Sequence, residues 1–347
     1  MSFSEKEGTN LRSFFNKKTS YRIATLLGSL CILTACGESS PSVSSVKPNG
    51  ASSVINEVST PSASSVVSEP ETLPKGSRDN TPICLVPAAD GILVSENDVA
   101  SIDYSHSSDG YVSVKYTGEV EKIKLRITGP DEVVYTYDLK QNTYEVFPLT
   151  GGNGAYSIAV YENVEGTNYV TAHFDTIDVQ IDDEIKAYLY PNQYVDFKET
   201  SDVVKLAKEI VEPANSDLDA VSYVYNYIIS NITYDFEKAE SNPTGYISDI
   251  DTILKTKTGI CLDYAAIMCS MLRSQGIPTR LEIGYAADAY HAWISVYISD
   301  IGWVNGVVEF TGSSWTLMDP TFGASTDDAA LKKFIGDGTN YTLQKIY

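Results

Sequence analysis

The apolar residues of this chain change their period near residue 185, and that change limits the architecture more than any other feature. Before it they alternate with polar residues, as in Tyr111-Val112-Ser113-Val114-Lys115-Tyr116, Ile123 to Ile127, Val133 to Tyr137, Tyr144 to Phe147, Tyr156 to Tyr161 and Tyr169 to Ile181. Alternation sends successive side chains to opposite faces, so these runs predict strands. Gly118, Gly129-Pro130-Asp131 and Gly151-Gly152-Asn153-Gly154 supply the breaks. Beyond Ile185 the spacing becomes three and four. Val203, Leu206, Ala207, Ile210 and Val211 follow the capping pair Ser201-Asp202 and stop before Pro213, while Leu218, Val221, Tyr225, Ile228, Ile229 and Ile232 make a second helical stripe.

The expected fold class is therefore α+β. About six or seven short strands within about 100 residues suit an antiparallel sandwich of immunoglobulin-like type over residues 81–185. Residues 186–347 form the mixed domain. Sandwiches host many functions, so the first domain names none. His106 and His173 fall in it without ligand spacing and read as surface or strand histidines.

The N-terminus has its own logic. Lys6, Arg12, Lys17, Lys18 and Arg22 precede an uncharged run from Ile23 to Ala35, the pattern of an export signal. As a helix that run spans about 20 Å, short of a hydrocarbon core of about 30 Å. It ends in Leu33-Thr34-Ala35-Cys36-Gly37, which resembles the lipobox of bacterial lipoproteins. The resemblance implies cleavage of residues 1–35, a diacylglycerol on the Cys36 sulfur and an extracytoplasmic, lipid-anchored location on the bacterial cell membrane. Cleavage removes five positive and two negative charges and takes the formal net charge from −21 to −24. Residues 36–80, rich in Ser, Val, Pro, Thr and Glu and without an aromatic residue, read as a disordered linker.

An excess of 46 acidic over 25 basic residues argues against nucleic acid as a partner, because phosphate binding relies on Lys and Arg. Five cysteines, three histidines and no C-x-x-C pair indicate no zinc site, and no EF-hand loop is present, so neither metal nor other cofactor is expected.

The segment with chemical content starts at Thr258-Gly259-Ile260-Cys261. Leu262, Ala265, Ala266, Cys269 and Leu272 recur at helical spacing, and Gly276 with Pro278 ends the helix. Cys261 thus falls in the first turn, where free amides and the dipole's positive end favour a thiolate. Cys269 lies mid-stripe and reads as a core residue, about 12 Å from Cys261 along the helix and too far for a disulfide. Asp263 reads as a charge matched to the dipole, Trp293 and Trp315 as packing, and Arg280 as an ion-pair partner. His291, the one histidine after residue 185, precedes the strand-like Ala292 to Ile298, and Asp319 ends the strand-like run from Trp315. A thiol nucleophile needs a base, and the base needs a group to orient it.

Gly259-x-Cys261-x-Asp263-Tyr264-Ala265, Gly276-Ile277-Pro278-x-Arg280, Gly284-Tyr285, His291-Ala292-Trp293 and Asp319-Pro320-Thr321 together resemble the core motifs of the transglutaminase-like superfamily. That resemblance implies a papain-like arrangement, a cysteine helix packed on an antiparallel sheet that bears the histidine and the aspartate. It makes Cys261 the nucleophile, His291 the general base and then acid, and Asp319 the residue that orients His291. Protein or peptide substrates at the cell surface follow, with the acyl group passing to an amine (crosslinking) or to water (protease or amidase). The alternative is a non-catalytic surface binding or scaffolding lipoprotein with an inactive transglutaminase-like fold.

Overall fold

The computed structural model describes residues 74–347 apart from 242–244, 287, 300, 306, 311–314 and 319–340. The expected signal, Cys36, most of the expected linker and Asp319 lie outside the described residues.

Alternation does produce strands. They run β1 (Val94–Glu96), β2 (Ala100–Asp103), β3 (Tyr111–Tyr116), β4 (Ile123–Thr128), β5 (Val134–Asp138), β6 (Glu145–Pro148), β7 (Gly154–Glu165) and β8 (Asn168–Val179). They form two antiparallel four-stranded sheets, in the orders β1-β2-β3-β6 and β5-β4-β7-β8. In β4 the inward residues Ile123, Leu125 and Ile127 are buried and the residues between them are not, as a half-buried strand requires. Strands β1 and β2 are too short to show a period, although all four residues of β2 are buried.

The second half contains α1 (Asp202–Ile210), α2 (Asp217–Asn231), β9 (Thr233–Tyr234), α3 (Phe236–Ser241), α4 (Ile250–Thr256), β10 (Thr258–Gly259) and α5 (Cys261–Arg273). Strands β11 (Thr279–Ala286), β12 (Ala289–Ile298), β13 (Gly302–Asn305), β14 (Val307–Phe310), β15 (Trp315–Met318) and β16 (Tyr341–Ile346) follow. Ser216 caps α2 by accepting from the Asp219 amide at 3.1 Å. Ser201 stands at the start of α1, yet its hydroxyl accepts from the Lys198 amide outside the helix instead.

Helix α5 is buried from Asp263 to Arg273 on every side, which marks a helix with neighbours all round. It packs on β11 and β12, on α1, α2 and α4, and on β10. Its C-terminal end is fixed by Arg273. This guanidinium is wholly buried and donates to the carbonyls of Thr279 (2.9 Å), Tyr190 (2.7 Å) and Tyr347 (2.7 Å), three segments far apart in the chain. Burial lowers its pKa to about 10, which leaves it charged at neutral pH.

The sheet beside α5 is antiparallel in the order β13-β12-β11-β16. Gly284 is required there: a Cβ would stand 2.0 Å from the Thr342 carbonyl oxygen, at the point where the β11–β16 register shifts. Glu282 of β11 is buried in the same sheet, where Ser295 donates to it at 2.8 Å, and burial raises its pKa.

Residues 75–80, which composition assigns to the linker, are bound to the helical part. Gly76 donates to the Glu212 carbonyl and Arg78 to that of Ala214, while the Arg78 guanidinium bonds Asp217 and the Gln275 carbonyl, each at 2.7 Å. Polar and glycine-rich composition describes a chain without its own core. It does not exclude a strap held by backbone bonds to another element.

Arg273→Leu removes three buried hydrogen bonds, although the Tyr347 carbonyl keeps the Leu281 amide as a donor, and is expected to lower the unfolding free energy by about 3 kcal/mol, read from urea denaturation. Glu282→Gln is expected to stabilise the protein at neutral pH. The native carboxyl holds its proton to higher pH than the unfolded one, so wild type loses stability as pH rises through the ordinary carboxylate range. Thermal melts of the two proteins should converge as the pH is lowered below that range.

Candidate active site

The backbone that leads into α5 is clamped before the helix begins. Strand β9 pairs in parallel with β10, Thr233 opposite Thr258 and Tyr234 opposite Gly259. The Thr233 amide donates to the Lys257 carbonyl at 2.8 Å and the Asp235 amide to that of Gly259 at 2.9 Å. Ile260 then takes an extended conformation at the cap position and offers no side-chain acceptor. Cys261 follows as the first helical residue and is partly exposed.

The capping function falls to Asp263. Its carboxylate turns back and accepts from the Ile260 amide at 2.9 Å, the reverse arm of a capping box. It also accepts from Ser248 Oγ and Tyr246 Oη, each at 2.7 Å, and from Lys238 Nζ at 3.1 Å. Asp263 is wholly buried. The dipole reading of Asp263 was thus incomplete, because the residue joins the helix start to α3 and to the loop before α4. The spacing Gly259-x-Cys261-x-Asp263 has the same cause. A Cβ on residue 259 would lie 2.8 Å from the Asp263 Cβ, so only glycine lets the carboxylate fold back.

His291 is buried in β12, opposite Gly284 on β11. The strand was expected to start after His291 and instead starts at Ala289, since the β11–β12 hairpin closes between Ala286 and Ala289. Direct pairing puts Glu282, His291, Trp293 and Ser295 on one face of the sheet. Helix α5 packs on both strands of this pair.

Lengths then fix the ends. The Arg273 end of α5 is bonded to Thr279, which faces Val296 across the ladder. From Arg273 back to Cys261 the helix covers about 18 Å, and from Val296 back to His291 the strand covers about 17 Å. Both Cys261 and His291 therefore lie well away from the Arg273–Thr279 bond.

The other expected residues divide. Cys269 is wholly buried, and burial pushes its thiol up to about 12, in keeping with a core residue. Trp293 is buried and meets Tyr341 edge to face at 4.9 Å, as packing predicts. Arg280 forms no ion pair among the described residues. Its guanidinium stacks on Trp303 at 3.6 Å and lies 4.7 Å from the Tyr188 ring, a cation–π arrangement in place of the expected salt bridge. The strand before Asp319, β15, pairs with β14 in a two-stranded sheet, and Asp319 itself lies outside the described residues. His106 bonds Asp90 at 2.8 Å and stacks on Tyr111, and His173 bonds Ser95 at 3.1 Å. Both histidines stand in the first half, as read.

Lys238, Tyr246 and Ser248 escaped sequence reading. They sit on a short helix and in a loop without periodicity, and only the fold brings them to Asp263. Among the described residues no three His, Cys, Asp or Glu side chains gather as metal ligands, and no helix is long and apolar enough to cross a membrane.

Comparison with known proteins agrees with this layout. Residues 204–306 match the family model for the transglutaminase-like superfamily. The uncharacterized protein YebA of Bacillus subtilis (strain 168) is 24% identical over 218 residues, covering 56% of this chain and 28% of YebA. The mouse kyphoscoliosis peptidase is 27% identical over 160 residues, covering 41% and 24%. The chain therefore spans about a quarter of the length of these curated relatives. A crystal structure from Cytophaga hutchinsonii, provisionally described as a cysteine protease, covers 74% of each chain at 17% identity with a TM-score of 0.34. Red sea bream transglutaminase covers 62% of this chain and 48% of its own at 14% identity with a TM-score of 0.27. Superpositions this loose define neither fold nor chemistry, and the assignment rests on the family match. The glycine-cysteine-aspartate helix start and the histidine strand both lie inside the matched region, so residues 204–306 form a transglutaminase-like domain.

Proposed function

We propose that the chain is a membrane-anchored, extracytoplasmic cysteine enzyme acting by thiol acyl transfer on protein or peptide amides. The observation that carries this reading is Cys261 on the first turn of α5 with His291 in the strand beneath that helix, inside a matched family domain. The Cys261 thiolate attacks a carboxamide or peptide carbonyl and forms a C–S bond. The C–N bond then breaks as His291 gives its proton to the departing nitrogen, leaving a thioester. An amine or a water molecule attacks the thioester, His291 takes its proton, and the C–S bond breaks to free Cys261. The Cys261 amide, at the helix start, serves as one oxyanion donor, and Asp319 orients His291.

In the same reading the all-β part is an immunoglobulin-like sandwich, and a lipid on Cys36 holds both parts at the cell membrane. Protein or peptide substrates at the cell surface follow from that location. Metabolic labelling with a radioactive fatty acid tests the anchor: wild type should take up label and Cys36→Ser should not, and equal labelling of both would remove it.

The chemistry is tested by incubating the full chain with a glutamine-rich casein substrate, with and without a primary amine, and weighing the products. Incorporated amine identifies transfer, and a cut backbone or deamidation identifies hydrolysis. Either product should vanish in Cys261→Ala and fall by about 10²-fold or more in His291→Ala. Products that persist in Cys261→Ala would refute the reading. So would a Cys261 that iodoacetamide labels no faster than an ordinary thiol in wild type and His291→Ala alike.

A further inference from the structure

A carboxylate at the start of α5 has two opposite effects. By accepting from the Ile260 amide it holds the helix start in place. By its charge it opposes any second negative charge nearby, and a thiolate on Cys261 would form only two residues away. Like charges held close together near a protein surface repel more strongly than in bulk water.

The partners of Asp263 divide the labour. The Ile260 amide, Ser248 Oγ and Tyr246 Oη already give the carboxylate three good donors at 2.7–2.9 Å. Lys238 Nζ, at 3.1 Å, adds little as a further hydrogen bond, but among these four donors it alone brings a positive charge. Its place is fixed by Tyr246, whose hydroxyl accepts from Nζ at 2.6 Å and whose ring lies 4.0 Å beneath it. Burial works against the Lys238 charge, but the bonds to Tyr246 and Asp263 outweigh it and hold the ammonium protonated.

Resting on the reading of Cys261 as nucleophile, we propose that Lys238 is a positioning residue that cancels the Asp263 charge, so that the carboxylate caps α5 without opposing the Cys261 thiolate. Among the described residues, other titratable groups on the elements around this end are Asp235 between β9 and α3, Lys257 ahead of β10, Tyr246 before α4 and His291 on β12. The contribution of His291 is controlled by its own variant.

The test is the rate of iodoacetamide labelling of Cys261 in the full chain from about pH 5 to pH 9, with the Cys261 peptide followed by mass spectrometry so that other thiols do not contribute. Lys238→Met should move the profile up by about one pH unit, whereas Lys238→Arg should leave it in place. Lys238→Met with Asp263→Asn removes both charges and should return the profile toward wild type. A purely structural lysine predicts the reverse, a double variant shifted at least as far as the single one. Lys238 is partly exposed, so Lys238→Met should stay folded, and the Met/Arg pair decides even if Asp263→Asn does not fold. An unchanged profile in Lys238→Met, with wild-type Cys261 still sensitive to His291→Ala, overturns the proposal alone. A wild-type Cys261 that labels as an ordinary thiol, indifferent to His291→Ala, overturns the nucleophile reading and the proposal with it.

Discussion

One buried cation organises the second half of this protein. Arg273 gives its protons to carbonyls from the end of a 3-10 turn, the start of β11 and the residue after β16. Carbonyls are weak partners for a buried charge, and three together replace the water that the guanidinium gives up. The result is a fixed relation between the end of α5 and the sheet beside it. Because helix and sheet are joined at that end, the far end of α5, where Cys261 stands, inherits its position.

The far end needs a second device, because a helix start leaves amides without partners. Ile260 cannot cap, so Asp263 reaches back, and Gly259 clears the space for it. The site is thus built from its supports outward. A buried arginine sets one end of the helix, a buried aspartate sets the other, and Cys261, the first helical residue, stays partly exposed.

How much of this was legible in the sequence follows from the range of each interaction. Helix α5 was readable from its own spacing and from Gly276, which does adopt a left-handed conformation (φ 72°) at its end. The strands with full alternation, β3 and β4 above all, were readable for the same reason. His291 was found by type and spacing, but its depth in β12 depends on where the hairpin turns, which no local signal reports. Arg280 looked like an ion-pair partner because its charge is visible in sequence and the rings of Trp303 and Tyr188 that receive it are not. The Asp263 network was illegible beyond Asp263 itself. Its donors come from a short helix and a loop, and their meeting is a property of the fold.

The strap at residues 75–80 gives the molecule a mechanical grain. Force applied to the chain ahead of Lys75 meets first the bonds of Gly76 and Arg78 to the α1–α2 turn, and then those of Arg78 and Ile83 to the Ser274–Gln275 corner that follows α5. These bonds are spread along the strap. The load enters at the Arg273 end of α5, so the Cys261 end lies a full helix length from the point of strain.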